Sequence, residues 1–321
     1  MAVCIAVRLD GALQEHPTDL STDSAFPIYS ITKALTAICA LRLSEAGPLR
    51  LDMPIREWLP EVELPETVTL THLLRHTSGL RDYGPLPEYH QAVRLHPDRP
   101  WTRQQFLDAV LPNGLLFAPG EGWAYSNVGY MLVVDILERV THQTFAQIVA
   151  HFVTEPLVLQ RTSVLETLDD LMTCVPGFGT EVTEDGSLVD VRGRYHPGWC
   201  APRVMASTAA EITLTFDALL SGKLLAHETL RRMFTLVPLP GLREPPMVID
   251  AGMGVYSNAA SPYGRNYGHG GSGPGYDLAT LIYPETNAGR LAVAVFVDTS
   301  CGPRADDLED TVIAQFVEAP V

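Results

Sequence analysis

Residues 26–33 read FPIYSITK, and Ser30 and Lys33 of this stretch stand where an apolar helical pattern begins. Apolar residues recur after them at every third or fourth position, which predicts a helix over residues 31–45. A serine at a helix N-terminus lies beside free backbone N–H groups and the positive end of the helix dipole, and both suit a developing oxyanion. Lys33 follows nearly one turn later, so its amine rises on the same face as Ser30. The segment predicts an activated serine, with an N-cap serine and a surface lysine as the structural alternative.

A second polar motif, Tyr125-Ser126-Asn127, precedes an apolar helical pattern over residues 128–140. A tyrosine and an asparagine two residues apart in an extended segment face the same side, so the phenol and the amide could share one cleft. The phenol can relay a proton if a neighbouring ammonium group lowers its pKa, and the amide can hold the lysine and a substrate. Taken alone, the motif is better explained by a buried tyrosine followed by an asparagine N-cap.

The third motif covers residues 268–275, GHGGSGPG, directly before an apolar stretch that predicts a strand over 276–283. Glycine beside a strand lets a ligand approach the backbone closely, and a free strand N–H can donate to an oxyanion. By itself the motif indicates a glycine-rich turn that carries one histidine, His269. No Gly-Lys-Ser/Thr follows, and the dinucleotide fingerprint would need a helix here, so nucleotide binding is excluded.

The two ends of the chain predict strands, and the middle predicts helices. A strand over 3–9 is followed by the hairpin signal Asp10-Gly11, and strands over 276–283 and 290–297 flank a turn at 284–289, after a shorter candidate at 253–257. The last element is expected to be a helix over 305–317. We therefore expect an α+β protein whose antiparallel sheet is built from both termini. Further helices are predicted over 71–76, ended by a Gly79 cap, and over 102–110 and 209–220, and residues 176–202 are predicted to form an irregular surface loop.

Composition limits the partners of this chain. Its 321 residues carry 22 Lys+Arg against 38 Asp+Glu, a formal net charge of -16, which repels nucleic acid and anionic membranes. No apolar run approaches the roughly 18 residues of a membrane span. The first ten residues lack a basic region and a cleavage site, so a cytoplasmic protein is expected if Met1 is the natural start.

Metals and cofactors are not expected. His72 and His76 are four residues apart, as zinc ligands can be, but no glutamate lies between them, and a structural role is favoured. The cysteines show no Cys-x-x-Cys spacing, so reduced core thiols are predicted rather than disulfides or a zinc site. The five cysteines are Cys4, Cys39, Cys174, Cys200 and Cys301.

In this order and spacing, the three motifs resemble the active site of the serine β-lactamase and penicillin-binding-protein superfamily. The resemblance is closest to the branch that contains class C β-lactamases, D-alanyl-D-alanine carboxypeptidases, D-aminopeptidases and family VIII carboxylesterases. Segments 73–80, 119–120 and 125–130 also look like that branch, and the similarity runs from about residue 3 to about residue 317.

The resemblance implies one β-lactamase-like catalytic domain over 1–321, with an α/β lobe at about 1–45 and 205–321 and a mainly helical lobe at about 46–204. By the same resemblance, Ser30 is the acylated nucleophile, Lys33 its proton partner, Tyr125 the general base and later acid, and Asn127 the group that orients Lys33 and substrate. The backbone N–H groups of Ser30 and Ser272 would form the oxyanion hole. His269 would be a further residue of the catalytic set, and Gly271 would belong with Ser272 to the substrate-binding segment.

One departure from the resembled pattern bears on the substrate. His269-Gly270-Gly271 stands where many relatives carry Lys-Thr-Gly, which removes a permanent cation and a hydroxyl that help to hold a substrate carboxylate. Efficient penicillin turnover is therefore not expected. Three further residues could line the cleft by family analogy, although packing or surface roles are the simpler interpretation. They are Tyr83, Trp199 and Arg203.

The leading functional prediction is a metal-independent serine hydrolase that acts through an acyl-enzyme on a small ester, amide or peptide. Carboxylesterase and D-amino-acid peptidase or amidase are the expected types, with weak β-lactamase activity possible. The alternatives are a true β-lactamase or penicillin-binding carboxypeptidase, and a sensor or binding module that is acylated once without turnover. The presence of Ser30, Lys33, Tyr125 and Asn127 together favours the enzyme.

Overall fold

The computed structural model describes residues 2–244, 247–299 and 304–317. The strands are β1 Val3–Leu9, β2 Ala12–Gln14, β3 Ala25–Pro27, β4 Ser163–Leu165, β5 Phe178–Gly179, β6 Val189–Asp190, β7 Val204–Thr208, β8 Val237–Glu244, β9 Met247–Ala251, β10 Tyr256–Asn258, β11 Tyr267–Gly273, β12 Tyr276–Thr286 and β13 Gly289–Asp298. The helices are α1 Thr32–Ala46, α2 Leu70–Leu74, α3 Pro87–Leu95, α4 Arg103–Val110, α5 Asn127–Thr141, α6 Phe145–Val149, α7 Glu155–Leu157, α8 Leu168–Leu171, α9 Ala209–Leu220, α10 His227–Met233 and α11 Ala305–Ile313.

The main sheet joins the two ends of the chain, as the sequence predicts. Its strand order is β2-β1-β13-β12-β11-β10-β9-β8, and neighbouring strands run antiparallel. The first long strand pairs with the last along its whole length, from Val3 opposite Val297 to Leu9 opposite Leu291. Asp10 and Gly11 both have positive φ angles, the conformation that a two-residue hairpin of this type requires. The predicted α+β architecture is confirmed.

Both faces of the main sheet are covered, which explains the unbroken apolar run near the C-terminus. Along β13, Ala292, Ala294 and Phe296 face the core that holds α1 and α9. The alternate residues, including Val293 and Val295, face a second core that holds α11. A strand buried on both faces has no position for a polar side chain, so the usual alternation disappears.

Helix α1 is the central element between the sheet and the helices. Its residues from Thr32 to Leu41 are buried without interruption, and it contacts α5, α6 and α10. A helix that is buried all round needs apolar or small residues on every face, not only along one stripe. The predicted helix over 31–45 is thus confirmed. Ser30 lies in the turn that leads into this buried helix.

Two predictions about local structure are wrong. The glycine-rich motif at 268–275 is not a turn as a whole, because Tyr267–Gly273 forms β11 and only the last two residues turn into β12. The helix predicted over 71–76 ends at Leu74, and the first residue with a positive φ angle after it is His76; Gly79 also has a positive φ angle but lies too far from the helix to cap it. The carbonyl oxygen of Gly79 accepts a hydrogen bond from Leu116 N, in a distant part of the chain.

The sequence did not predict the hairpin of β8 and β9. Pro238 and Pro240 argue against a strand in this stretch, since proline cannot donate to a sheet. The structure accommodates them because β8 is the last strand of the sheet, where one row of backbone groups is unpaired anyway, and the pairing shifts register between Pro238 and Arg243. The neighbouring strand predicted over 253–257 is shorter and later, at Tyr256–Asn258.

A small sheet, in the order β3-β7-β4, links the segment before Ser30 to the middle of the chain. This sheet pairs residues from both of the lobes expected from the sequence. The single catalytic domain over 1–321 and its division into two lobes stay predictions. No helix in the described ranges is long and apolar enough to cross a membrane.

Four of the cysteines lie in the described ranges, and none of them forms a disulfide there. Cys4, Cys39 and Cys174 are buried, and burial raises the pKa of each thiol to about 12. Cys200 is partly exposed. These four fit the predicted reduced thiols, and Cys301 lies outside the described residues.

Candidate active site

Ser30 lies in a single helical turn, Tyr29–Ile31, that leads directly into α1. The turn is under backbone strain, because Tyr29 has a positive φ angle of 38° although it carries a side chain. The Tyr29 hydroxyl donates a hydrogen bond to the carbonyl oxygen of Pro274 at 2.7 Å. This bond ties the serine turn to the end of β11 and holds the two segments side by side.

The Ser30 hydroxyl has two polar neighbours. Lys33 Nζ lies 3.0 Å from Ser30 Oγ, and the Tyr125 hydroxyl donates to the same oxygen at 2.8 Å. Lys33 comes from the first turn of α1 and Tyr125 from the extended segment before α5, ninety-five residues from Ser30. The first two predicted motifs therefore meet at one oxygen atom.

Lys33 is buried, with 2% of its surface exposed, and burial lowers the pKa of its amine to about 8. The charge of Asp82 acts in the opposite direction, but more weakly. The amine lies 5.0 Å from the ring centre of Tyr125 and 5.8 Å from that of Tyr130, so aromatic faces replace part of its hydration shell. A pKa near 8 gives a substantial neutral fraction at moderately alkaline pH, which a base requires.

The Tyr125 phenol behaves differently from the sequence-based expectation. Burial raises its pKa above the ordinary value, and the hydrogen bond to Ser30 offsets this only in part. A lowering of the pKa by a neighbouring ammonium group does not occur, because burial of the phenolate has the largest effect on this group. Tyr125 is therefore a protonated donor at neutral pH.

Asn127 contacts a carboxylate that the sequence analysis did not identify. Its backbone N–H donates to Asp82 Oδ1 at 2.9 Å, and its side-chain Nδ2 donates to Asp82 Oδ2 at 3.0 Å. Within the described ranges no hydrogen bond joins Asn127 to Lys33, although both side chains line the same cavity. Burial raises the pKa of Asp82, and the Asn127 bonds and the Lys33 charge oppose that rise.

His76 supports the Tyr125 segment from behind. Its Nδ1 accepts a hydrogen bond from Ser126 N at 3.1 Å, and its carbonyl oxygen accepts one from Ala124 N at 2.9 Å. The imidazole packs against the Tyr125 ring, with the ring centres 4.5 Å apart. Burial, with smaller contributions from Lys33 and His269, lowers the pKa of His76 well below its usual range.

The structural interpretation of the two histidines therefore has direct support. His72 accepts the backbone N–H of Thr69 at 3.2 Å in the capping box of α2. His76 uses the same ring nitrogen, Nδ1, for Ser126. Among the described residues, no group of three or more candidate ligands is arranged to hold a metal ion.

Strand β11 passes close to the serine turn. A Cβ atom on Gly271 would lie 2.5 Å from the carbonyl oxygen of Ile28, so only glycine permits this approach. Strand β10 pairs with β11 only at Gly268, which leaves the edge of β11 beyond that point without a strand partner in the described ranges. The backbone of Ser272 lies on this stretch of β11, beside Ser30 in both cavities of the site.

His269 lies on β11 and is buried, with 6% of its surface exposed. Its Nδ1 lies 2.5 Å from the carbonyl oxygen of Gly270, and its ring centre lies 5.0 Å from that of Tyr256. Burial lowers the pKa of this imidazole to about 3, and the Lys33 charge contributes in the same direction. His269 is therefore neutral at neutral pH and cannot replace a lysine as a cation.

Two cavities meet at Ser30 and Ser272. The tyrosine cavity, about 290 Å³, is lined by Lys33 and Asn127 and by an aromatic wall. The histidine cleft, about 260 Å³, is lined by Tyr125 and His269. The aromatic wall of the tyrosine cavity comprises Tyr29, Tyr83, Tyr89 and Tyr195. The remaining side chains of the histidine cleft are Tyr256, Asp277, Leu278, Arg304 and Asp306.

The other residues singled out in the sequence divide between the cavity and the core. Tyr83 and Arg203 line the tyrosine cavity, whereas Trp199 is fully buried and donates through Nε1 to the carbonyl oxygen of Pro97 at 2.9 Å. The segment 176–202 lies at the site, as expected, but it is not simply a surface loop, because Val191 and Tyr195 are buried in the core.

A family model described as Beta-lactamase matches residues 3–318. The chain belongs to this family. The resemblance seen in the three motifs is thereby confirmed, and the match covers nearly the whole of the chain.

The names of individual similar proteins indicate different activities. Penicillin-binding protein 4* of Bacillus subtilis is 27% identical over 280 residues, which are 82% of this chain and 59% of that protein. Esterase EstB of Burkholderia gladioli is 35% identical over 162 residues, 45% of this chain and 39% of that protein. The chain thus spans about two fifths to three fifths of the length of these curated relatives.

The fold also matches solved structures. The structure of a D-stereospecific amidohydrolase from Streptomyces superposes with a TM-score of 0.80 and 25% sequence identity. The superposition covers 92% of this chain and 88% of the amidohydrolase. A shared fold leaves the substrate undetermined, since one fold hosts many chemistries.

Proposed function

We propose that this protein is a metal-independent serine hydrolase that acts through an acyl-enzyme on esters or amides, with Ser30 as the nucleophile. The observation that carries the proposal is the position of Ser30 Oγ, which lies 3.0 Å from Lys33 Nζ and 2.8 Å from the Tyr125 hydroxyl. A serine hydroxyl needs a base to become nucleophilic, and a desolvated lysine beside it can supply one.

In the acylation step, the neutral Lys33 amine takes the proton of Ser30 while Oγ attacks the substrate carbonyl carbon. The Tyr125 phenol already donates to Oγ, so the hydroxyl hydrogen of Ser30 is left to point toward Lys33 Nζ. The oxyanion that forms would be stabilised by the backbone N–H groups of Ser30 and Ser272. Because the pKa of Tyr125 is raised, we assign the base role to Lys33 and the donor role to Tyr125.

The tetrahedral intermediate collapses when the bond from the carbonyl carbon to the leaving group breaks. The leaving atom takes a proton from Tyr125, and the phenol regains one from the Lys33 ammonium. Water then attacks the Ser30 ester, the same groups move the protons in reverse, and a carboxylic acid is released. Asn127, bonded to Asp82, would contact the substrate from the side of the tyrosine cavity.

We infer that the aromatic wall of the tyrosine cavity receives an apolar acyl group, while Glu181 and Arg203 give other parts of the lining a polar character. The Tyr29 hydroxyl is bonded to Pro274 O, the Tyr89 hydroxyl donates to Trp199 O at 3.2 Å, and the Tyr83 hydroxyl accepts from Ala201 N at 3.1 Å. With these polar ends engaged by the protein, the rings present mainly carbon to a ligand. An aryl or branched alkyl acyl group would bury the most surface there.

Carboxylesterase and D-amino-acid amidase or peptidase are the activity types that we propose. An esterase and a D-stereospecific amidohydrolase among the similar proteins support them. A true β-lactamase or penicillin-binding carboxypeptidase is the second candidate, favoured by the family match and by penicillin-binding protein 4*. The neutral, buried His269 argues for at most weak β-lactamase activity, because it provides no charge for a substrate carboxylate.

Burst kinetics with an activated p-nitrophenyl ester tests turnover. An enzyme releases one equivalent rapidly and continues in a linear phase, whereas a sensor that is acylated once stops after one equivalent. We expect continued turnover, no effect of EDTA, and no burst from Ser30→Ala. A release that stops at one equivalent would contradict the enzyme proposal, and activity lost on chelation and restored by zinc would contradict the metal-free scheme.

The remaining parts of the functional account stay predictions. We propose a small ester, amide or peptide substrate and no organic cofactor. We also propose no nucleic-acid or membrane partner, on the basis of the net charge of -16. The cytoplasmic location expected from the first ten residues likewise stays a prediction.

A further inference from the structure

The two cavities receive different parts of a substrate under the proposed mechanism. Tyr125 lines the histidine cleft, and Lys33 lines the tyrosine cavity. The leaving atom must take its proton from Tyr125, so it must be on the side of Ser30 that Tyr125 faces. The leaving group therefore enters the histidine cleft, and the chemistry of that cleft selects among leaving groups.

His269 presents a hydrogen-bond acceptor to this cleft. A carbonyl oxygen can only accept, so the short contact from Nδ1 to Gly270 O, 2.5 Å, places the ring hydrogen on Nδ1. In a neutral imidazole the other nitrogen, Nε2, then carries a lone pair. No hydrogen bond joins Nε2 to any residue in the described part of the chain.

The charged groups of the cleft favour the same kind of ligand. Asp277 and Asp306 contribute two formal negative charges, and Arg304 contributes one positive charge. The Arg304 charge is partly balanced by Asp277, since Arg304 Nη2 lies 3.3 Å from Asp277 Oδ1. A carboxylate placed here would meet a bare nitrogen lone pair and a net negative lining, whereas an N–H or O–H donor would find a free acceptor.

We propose that the histidine cleft selects leaving groups that donate a hydrogen bond to His269 Nε2. These are alcohols or amines that carry a hydroxyl, N–H or ammonium group near the scissile bond, and the cleft disfavours leaving groups that carry a carboxylate. The inference rests on the proposed function and adds the leaving-group class to it. The position of the ring hydrogen on Nδ1 makes His269 an acceptor toward the cleft.

Four phenyl esters with one acyl group and one variable substituent test the inference. The substituent on the leaving phenol is hydroxymethyl, aminomethyl, methoxymethyl or carboxymethyl, and kcat/KM is measured for each at pH 7.5. Hydroxymethyl and methoxymethyl are the matched pair, because they differ mainly in the donor. We expect the hydroxymethyl ester to exceed the methoxymethyl ester by about 2- to 10-fold, the range that one net hydrogen bond supplies. The aminomethyl ester should be at least as good, and the carboxymethyl ester the poorest.

Variants of His269 and Asp306 test whether these residues cause the expected order of the four esters. In His269→Phe, the ratio of hydroxymethyl to methoxymethyl rates should fall to about 1, because the acceptor is gone. Asp306→Asn should reduce the advantage of aminomethyl over hydroxymethyl. If His269→Phe does not fold, as judged by circular dichroism, the wild-type order still decides, because equal rates for the matched pair overturn the inference.

The outcomes separate this inference from the function beneath it. The carboxymethyl ester could prove to be the best substrate and lose its advantage in Arg304→Ala. This result would show that Arg304 leaves Asp277 to bind carboxylates. It would overturn the inference, while hydrolysis through Ser30 would stand. If none of the four esters acylates Ser30, the proposed function fails, and the inference fails with it.

Discussion

The carboxylate of Asp82 accepts two hydrogen bonds from Asn127, one from the backbone N–H at 2.9 Å and one from Nδ2 at 3.0 Å. This pairing fixes the start of α5 against the segment that follows α2. It also places the negative charge of Asp82 near Lys33. This charge raises the pKa of the Lys33 amine, whereas burial lowers it by more. Asp82 thus acts on two parts of the site at once.

The first prediction concerns pH dependence. If neutral Lys33 is the base, kcat/KM of the wild type should rise with pH and level off above about 8. Asp82 raises the pKa of Lys33, so Asp82→Asn should lower it and move the acid limb of the profile to lower pH. The plateau should also fall by about 10-fold, because an amide cannot accept both Asn127 bonds.

Asp169→Asn is the matched control for this prediction, since Asp169 is an exposed carboxylate on α8. It should leave the position of the limb unchanged. A limb that stays in place in Asp82→Asn, or that moves to higher pH, would contradict the electrostatic relation between Asp82 and Lys33.

The second prediction concerns His76, which accepts the Ser126 N–H and packs on Tyr125. His76→Phe keeps a ring in place but leaves that N–H buried without a partner, so Tyr125 should lose its position. We expect kcat to fall by about 10- to 100-fold with a smaller change in KM. Steady-state kinetics on a p-nitrophenyl ester measures both quantities.

His76→Asn separates positioning from simple loss of packing. Asparagine tolerates the positive φ of 58° at this position and offers an amide oxygen to Ser126 N, although it removes more ring contact. It should therefore retain a higher kcat than His76→Phe. Equal kcat values for the wild type and His76→Phe would rule out a positioning role.

The third prediction concerns the close approach of β11 to the serine turn. The Cβ of Gly271→Ala would lie 2.5 Å from Ile28 O, and backbone atoms cannot yield without moving one segment. We expect destabilisation of about 1–3 kcal/mol, as for overpacked cores, together with reduced kcat as Ser272 moves away from Ser30. Thermal unfolding and kinetics on the same preparation measure the two effects.

Gly270→Ala supplies the control for stability. The same methyl group would there meet its nearest atom, Leu278 O, at an ordinary 3.6 Å. Its melting temperature should remain close to that of the wild type. If Gly271→Ala is as stable as Gly270→Ala, the steric account of this approach is wrong.

Local patterns of sequence were sufficient for much of the fold. The paired terminal strands, α1, α5 and α9 could be predicted because each is a long segment rich in apolar residues. The β8 and β9 hairpin could not, because its prolines are tolerated only at the edge of a sheet, and the sequence does not reveal which strand is the edge.

The site divides in the same way. Ser30, Lys33 and Tyr125 belong to motifs of recognisable residue types, and the structure brings them within hydrogen-bond distance. The contributions of Asp82 and His76 depend on contacts with residues about 45 to 50 positions away, which no local pattern records. The hydrogen position on His269 likewise follows from a backbone carbonyl next to it, not from its residue type.

Intact-protein mass spectrometry, followed by peptide mapping after a brief reaction with an activated ester or a fluorophosphonate probe, tests most directly that Ser30 is the covalent nucleophile. We predict a single adduct of one acyl or phosphonyl group, located on the peptide that contains Ser30 and absent from Ser30→Ala. An adduct on Ser126 or Ser272, or one that persists in Ser30→Ala, would contradict the account.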